Sequence, residues 1–254
     1  MPCRVIVFAT IILLGVCCLA QGTHPTGQQE GDVNSENQAP FFRSRVASRQ
    51  IGEQSISVIR LSVPRKAREL YEKSIKLFRT YNYGEAQQKL DQALHLYAAF
   101  PEALTMRGCI HIYLNRWDLA EQSLQSAVRS DPTYGWAYLM LSNLYNRERR
   151  FDDALLMSQR AVALIPDAWP VRYEMARALI GNRRYVPALD IIEAALRDNR
   201  GTLLHVAKAH ALIGLARYPE AAAELQTYLH YQPVGEGSQD AHDLLDKIQS
   251  AVGR

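Results

Sequence analysis

Cysteine is scarce and unevenly placed. The 254 residues hold four, and Cys3, Cys17 and Cys18 sit near the amino terminus, which leaves Cys109 alone in the body of the chain. One thiol closes no internal disulfide, so burial rather than cross-linking must hold the fold together. An excess of either charge is also missing: 29 Lys and Arg face 26 Asp and Glu, a net of +3. Nucleic-acid binding needs a concentrated basic face, and this balance predicts no nucleic-acid partner. Catalytic signatures are lacking too. None of the seven histidines stands in a His-Glu-x-x-His pattern, and no Gly-rich phosphate loop or nucleophile elbow occurs. His205 and His210 are five residues apart, roughly 140° around a helix, and do not share a face for a metal. The expectation is a chain without catalytic residues, metal or cofactor, and so not an enzyme.

The amino terminus has a character of its own. Arg4 precedes an apolar stretch over residues 5–16, and small residues close the segment at Cys18 and Ala20. Those three zones make residues 1–20 a signal peptide cleaved before Gln21, and the mature chain is expected to be exported, periplasmic or extracellular. The apolar core is nearer a dozen residues than the ~20 that cross a bilayer, so no integral span is expected once the signal is removed. A retained anchor, or lipid on Cys17 or Cys18, is the alternative. Cleavage would leave 28 basic and 26 acidic residues, a net of +2. Residues 21–54 are rich in Gly, Gln, Asn and Ser and read as a flexible polar leader. In residues 55–64, Ile56 and Val58, then Leu61 and Val63, alternate with mostly polar neighbours, as in a strand-like arm that Pro64 ends.

From Ala67 onward the chain repeats itself. Ala86, Ala120, Ala154 and Ala188 recur every 34 residues, and Ala221 follows after 33. An aromatic stands three residues before each: Tyr83, Trp117, Phe151, Tyr185 and Tyr218. A second small residue comes seven residues after the first four, at Ala93, Ala127, Ala161 and Ala195, while Tyr228 breaks the pattern in the last unit. Several features in phase over five units specify a repeat array, with units near 67–100, 101–134, 135–168, 169–201 and 202–235. Each unit reads as two helices, A and B; in the second unit these cover residues 101–115 and 118–129. Alanines about two turns apart leave one face of helix B free of bulk, so that helix A can approach closely. No single pair buries its apolar face, and stacking does. Residues 236–254 carry an apolar stripe of Ala241, Leu244, Leu245, Ile248 and Val252 opposite Asp240, Asp243, Asp246 and Lys247, as a capping helix would, with Ser238 placed to cap it. Cys109 reads as a half-buried helix thiol and His111 as a core histidine with its polar atoms satisfied.

This pattern resembles the tetratricopeptide repeat. Ser74, Gly108, Ser142, Ala176 and Ala209 fill the small site of helix A in that motif, and the likeness extends over roughly residues 67–235; Ala98 and Arg200 stand where it usually has proline. The resemblance implies an all-α, right-handed α-solenoid of about five hairpins plus the C-terminal capping helix. It also implies a concave groove lined by the A helices, where a protein or peptide partner is held. Carried onto this chain, the groove set includes Tyr113, Trp136, Asn143, Asn146, Arg147, Tyr173 and Arg177, with Thr105, Cys109, Ile112 and Leu139 alongside. The chaperone-tail carboxylate clamp of the family is not expected, because Tyr71, Ile75, Met106, Trp136 and Met140 occupy its sites. With the export signal, the whole is similar to secreted bacterial repeat proteins. Two functions follow as expectations: a non-catalytic exported scaffold that binds a peptide segment in its groove, or a structural subunit of an envelope or secretion assembly that uses its convex faces and the arm.

Overall fold

The computed structural model describes residues 62–197, 201–234 and 237–252. The signal peptide, the leader and residues 55–61 of the arm lie outside the described residues. Ser62, Val63 and Pro64 are described, and Ser62 is helical rather than extended. The described chain is helical throughout: α1 (Arg65–Arg79), α2 (Tyr83–Leu96), α3 (Pro101–Tyr113), α4 (Trp117–Ser130), α5 (Gly135–Arg147), α6 (Phe151–Leu164), α7 (Trp169–Gly181), α8 (Tyr185–Arg197), α9 (Leu203–Gly214), α10 (Tyr218–Tyr231) and α11 (Ser238–Val252). It falls into two compact units, divided between Met175 and Ala176 within α7. In the amino-terminal unit α1 packs on α2, α3 on α4 and α5 on α6, while α3 also touches α1 and α5. In the carboxy-terminal unit α8 packs on α9, α9 on α10 and α10 on α11.

Each hairpin turns through the same backbone device. Tyr81, Asn115, Arg149, Arg183 and Ala216, in step with the repeat, adopt left-handed φ values between 55° and 63°. The next residue's N–H reaches back five positions, as in Asn82 to the Leu77 carbonyl (3.0 Å), Arg150 to Tyr145 (2.8 Å) and Arg217 to Leu212 (2.9 Å). That is the Schellman closure, which satisfies the orphan carbonyls at the end of helix A. The carbonyl of the same residue then starts helix B, accepting from Ala86, Ala154 and Ala221 respectively. A three-residue link thus both ends one helix and begins the next. Glycine would adopt this φ at no steric cost, and none of the five turns uses it.

The small residues stand at the close approaches. Ala86, Ala120, Ala154, Ala188 and Ala221 have no exposed surface, and neither do Ser74, Ser142, Ala176 and Ala209. A Cβ at Gly108 would sit 2.6 Å from Leu124 Cγ on the facing helix. Both serines of the set are satisfied: the Ser142 hydroxyl donates across the crossing to the Ala154 carbonyl at 2.9 Å, and that of Ser74 donates to the Tyr71 carbonyl of its own helix at 2.6 Å. The turn aromatics then bridge to the next hairpin. Tyr83 lies nearly parallel to Tyr113 with centroids 5.8 Å apart, and Phe78 meets Tyr113 edge-on at 5.2 Å. In the other unit Tyr185 lies against Gly214, where any Cβ would collide with the ring.

A charged seam ties α4 to the next hairpin. The Tyr145 hydroxyl donates to Glu121 at 2.6 Å, and Arg150 donates to Glu121 (3.3 Å) and Asp153 (2.8 Å) while its guanidinium covers the Tyr145 ring. Burial and the Glu121 carboxylate push the Tyr145 phenol up to about 12. At the carboxyl end, Ala241, Leu244, Leu245 and Ile248 of α11 are buried as the stripe requires. Tyr228, the exception among the small sites, is itself fully buried, and its hydroxyl approaches Gly237 at the start of α11.

Three expectations change. Ser238 does not cap α11, because its hydroxyl donates to the Gln232 carbonyl at 3.0 Å and instead fastens the connection to α10. Cys109 is fully buried rather than half-buried, and desolvation pushes its thiol up to about 12, which makes it unreactive. His111 is buried, but its Nδ1 has no hydrogen-bond partner; desolvation, then the charges of Arg107 and Arg116, lower its pKa. Helix boundaries otherwise match within two residues, Trp117 standing inside α4 rather than in the turn.

Two substitutions test this packing. Ala154→Leu should destabilise by about 1–3 kcal/mol in chemical denaturation, since the crossing with α5 has no room for added methylenes. Ala216→Gly should stabilise by about 0.5–1 kcal/mol, because relief of the left-handed strain outweighs the extra freedom of the unfolded chain.

Candidate functional site

The A helices present the groove positions, and α5 carries the densest group of them. Trp136 lies in its first turn, partly buried against the core of Leu139, Ala161 and Val171, with Val162 and Ile165 beside it. One helical face further on come Asn143, Asn146 and Arg147, spaced three and four residues apart so that their side chains neighbour one another. Asn143 and Asn146 are only 6% and 5% exposed. Both point at a residue the sequence did not bring forward, Glu174 of α7, which is completely buried.

The geometry around Glu174 is specific. Asn143 Nδ2 donates to Glu174 Oε1 at 2.7 Å. Asn146 Nδ2 donates to Glu174 Oε2 at 2.8 Å and also to the Glu174 backbone carbonyl at 2.9 Å. Arg147 Nε donates to Asn143 Oδ1 at 3.3 Å, while Asn146 Oδ1 is buried without a partner. Buried carboxylates persist only when hydrogen bonds replace the lost water, and two amides do that here. The sequence held a signal for this: two asparagines on one face of helix A, and an acid in the next helix A amid the apolar run that includes Val171, Ala176 and Leu179.

The other expected groove residues are dispersed. Tyr113, at the end of α3, belongs to the aromatic cluster with Phe78 and Tyr83 and keeps 39% of its surface exposed. Tyr173 is half-buried, its ring 6.4 Å from that of Trp169. Thr105, Cys109, Ile112 and Leu139 are buried and act as packing rather than contact surface. Arg177 belongs to the carboxy-terminal unit, where it and His210 are each half-buried. Desolvation, helped by the Arg177 charge, pushes His210 down to about 4 and keeps it neutral. In the same unit, Glu224 of α10 binds His205 Nδ1 (2.7 Å) and Lys208 Nζ (2.8 Å) of α9, and these partners hold its pKa below the usual carboxylate value against desolvation. Among the described residues no group of His, Cys, Asp and Glu could hold a metal, and no helix is long and apolar enough to cross a membrane.

Comparison with known proteins adds the following. Tetratricopeptide-repeat profiles match residues 71–135, 105–170 and 147–210. The chain is 25% identical over 167 residues to anaphase-promoting complex subunit 3 of Schizosaccharomyces pombe, covering 65% of this chain and 25% of that protein. It is 23% identical over 195 residues to a DnaJ homolog subfamily C member 7 homolog of Dictyostelium discoideum, covering 70% of this chain and 34% of that one. The chain therefore spans about a quarter to a third of the length of these relatives. Among solved structures, PilW, a type IV pilus biogenesis factor, superposes with a TM-score of 0.68 at 17% identity over 75% of this chain and 87% of that one. A thermophilic tetratricopeptide-repeat protein of Thermus thermophilus gives 0.61 at 20% identity over 74% of this chain and all of that one.

Two outcomes follow from the site. Asn143→Ala removes a donor from a buried carboxylate and should cost about 1–3 kcal/mol in denaturant titration, so this residue is structural whatever it binds. His210 is neutral when folded and takes up its proton first in the unfolded chain. Its contribution to stability is therefore complete above its ordinary value of 6.5 and is lost as pH falls from there towards about 4. His210→Gln should flatten the dependence of the unfolding midpoint on pH across that window.

Proposed function

The chain belongs to the tetratricopeptide-repeat family of protein-interaction scaffolds, and from that premise we propose that it is an exported, non-catalytic scaffold that holds an extended peptide segment of a partner against its A helices. The observation that carries the reading is the run of groove positions along α5, where Asn143 and Arg147 are hydrogen-bonded to each other about two turns beyond the partly buried Trp136. An aromatic surface supplies contact area, and a guanidinium grips a carboxylate with two parallel bonds. Export rests on the three-zone amino terminus, which places the partner in the envelope or outside the cell.

A second reading, a structural subunit of an envelope or secretion assembly, has one observation in its favour. Leu119 of α4, Leu156 of α6 and Val186 of α8 are 44%, 52% and 58% exposed on B helices, where they offer apolar contact away from the groove. The likeness to PilW supports this reading at the level of fold alone.

The two readings separate by mutation. Under the first, Arg147→Ala should reduce partner capture from an envelope extract at least tenfold while the helical signal and melting temperature stay within error. Unchanged capture would remove the groove's role. Under the second, Leu119→Glu with Leu156→Glu should break the assembly on size-exclusion chromatography and leave groove binding intact.

A further inference from the structure

Positive charge is concentrated in one helix. α1 holds six basic residues, Arg65, Lys66, Arg68, Lys73, Lys76 and Arg79, against two acids, Glu69 and Glu72, a net of +4. The rest of the chain has 23 basic and 24 acidic residues, so the positive balance of the whole resides in α1. All eight charges lie on one side of the helix. At roughly 100° per residue they span about 160° around its axis, opposite the buried Ala67, Ser74 and Phe78. Every exposed side chain of α1 is one of these eight. Arg65 pairs with Glu69 at 2.8 Å, whereas Lys66, Arg68, Lys73, Lys76 and Arg79 enter no ion pair among the described residues.

Helix stability does not account for this arrangement. The amino end of a helix is the positive end of its dipole and favours acids. An acid stands in the first turn of α2, α3, α4, α6, α10 and α11. The first turn of α1 has none, and Arg65, Lys66 and Arg68 crowd that end instead. These cations oppose the dipole and face solvent, where an anionic partner can reach them.

We propose that α1 is a docking face for the surface of an anionic phospholipid bilayer. A protein interface is anchored by apolar or aromatic side chains at its centre, and α1 exposes none. Nucleic-acid readers use amides on base edges and rings stacked on bases, and α1 exposes neither. Clustered Lys and Arg suit a fluid sheet of phosphate headgroups, which rearranges to meet the cations. Glu69 and Glu72 temper the attraction without reversing it. Connectivity favours the same surface. Residues 5–16, the apolar stretch expected to engage a membrane during export, precede α1, and α1 is the first described helix after them. Since the charged side carries nothing apolar, contact stops at the headgroups and salt reverses it. Docking of this kind is independent of the groove and holds the array at a membrane whatever the A helices bind.

The test is co-sedimentation of the full chain with phosphatidylcholine vesicles, with and without about a third of phosphatidylglycerol. Residues 5–16 can contribute to both, so the readout is the ratio of the two affinities. The wild type should favour the anionic vesicles at least about tenfold in 0.1 M salt. That ratio should fall to near one in 1 M salt, where the screening length drops from about 10 Å to about 3 Å. Lys66→Gln, Arg68→Gln, Lys73→Gln and Lys76→Gln together should bring it below about threefold, each cation being worth up to about fivefold. Their unfolding midpoint should equal or exceed that of the wild type, because two of the four relieve the dipole. Glu69→Gln, which releases Arg65 and adds to the net charge, should raise the ratio. As a control, Arg129→Gln, Arg149→Gln, Arg160→Gln and Arg184→Gln remove the same charge from exposed sites elsewhere and should retain most of the ratio. A full ratio in the α1 variant, an equal loss in the control, or no rise in Glu69→Gln would overturn the docking face. So would a wild-type ratio near one, or a preference that survives 1 M salt. Tighter binding to a DNA duplex than to anionic vesicles at equal phosphate concentration would assign the face to nucleic acid and overturn the proposal as well.

Discussion

Close approach of two helices at a point with no room for a side chain is the constraint from which the remaining architecture follows. Ala86, Ala120, Ala154, Ala188 and Ala221 are completely buried, each one turn into a B helix and each with its N–H bonded to the residue that closes the preceding turn. A larger side chain there would wedge the hairpin open, and the apolar faces that neighbours share would no longer meet. The individual hairpin is too small to bury a core of its own, so local tightness and stacking between neighbours are one requirement.

Most of this was legible in the amino-acid sequence, because a constraint imposed at every hairpin leaves the same mark five times. Small residues, turn aromatics and the apolar stripe of α11 all stand where their spacing put them, and helix ends differ by two residues or fewer. Features that occur once were harder to read. The left-handed turn residues are Tyr, Asn, Arg, Arg and Ala, with no glycine to announce the conformation. The Schellman closure that stabilises them is made by main-chain atoms, which carry no side-chain signature.

The candidate site shows the same division. The family resemblance put Asn143, Asn146 and Arg147 in the groove set and left their polar groups for a partner. The structure gives both amide nitrogens to Glu174, an acid within an apolar stretch, and that partner depends on the juxtaposition of two helices rather than on a local pattern. His111 and Cys109 were misjudged for a related reason: the extent of burial is set by the neighbouring helices, and a helix read alone shows only which face is apolar. What Glu174 adds is an internal reference for polarity, since an acceptor-only group dictates which way round its amide neighbours stand.

Tyr228 gives the array an end. Its phenol takes the volume that alanine vacates in the four preceding B helices, and its hydroxyl reaches the start of α11. A further hairpin docked after α10 would find that volume already taken. Whatever element follows α10 has to be shaped to that ring rather than to a methyl group, as the glycine before α11 is.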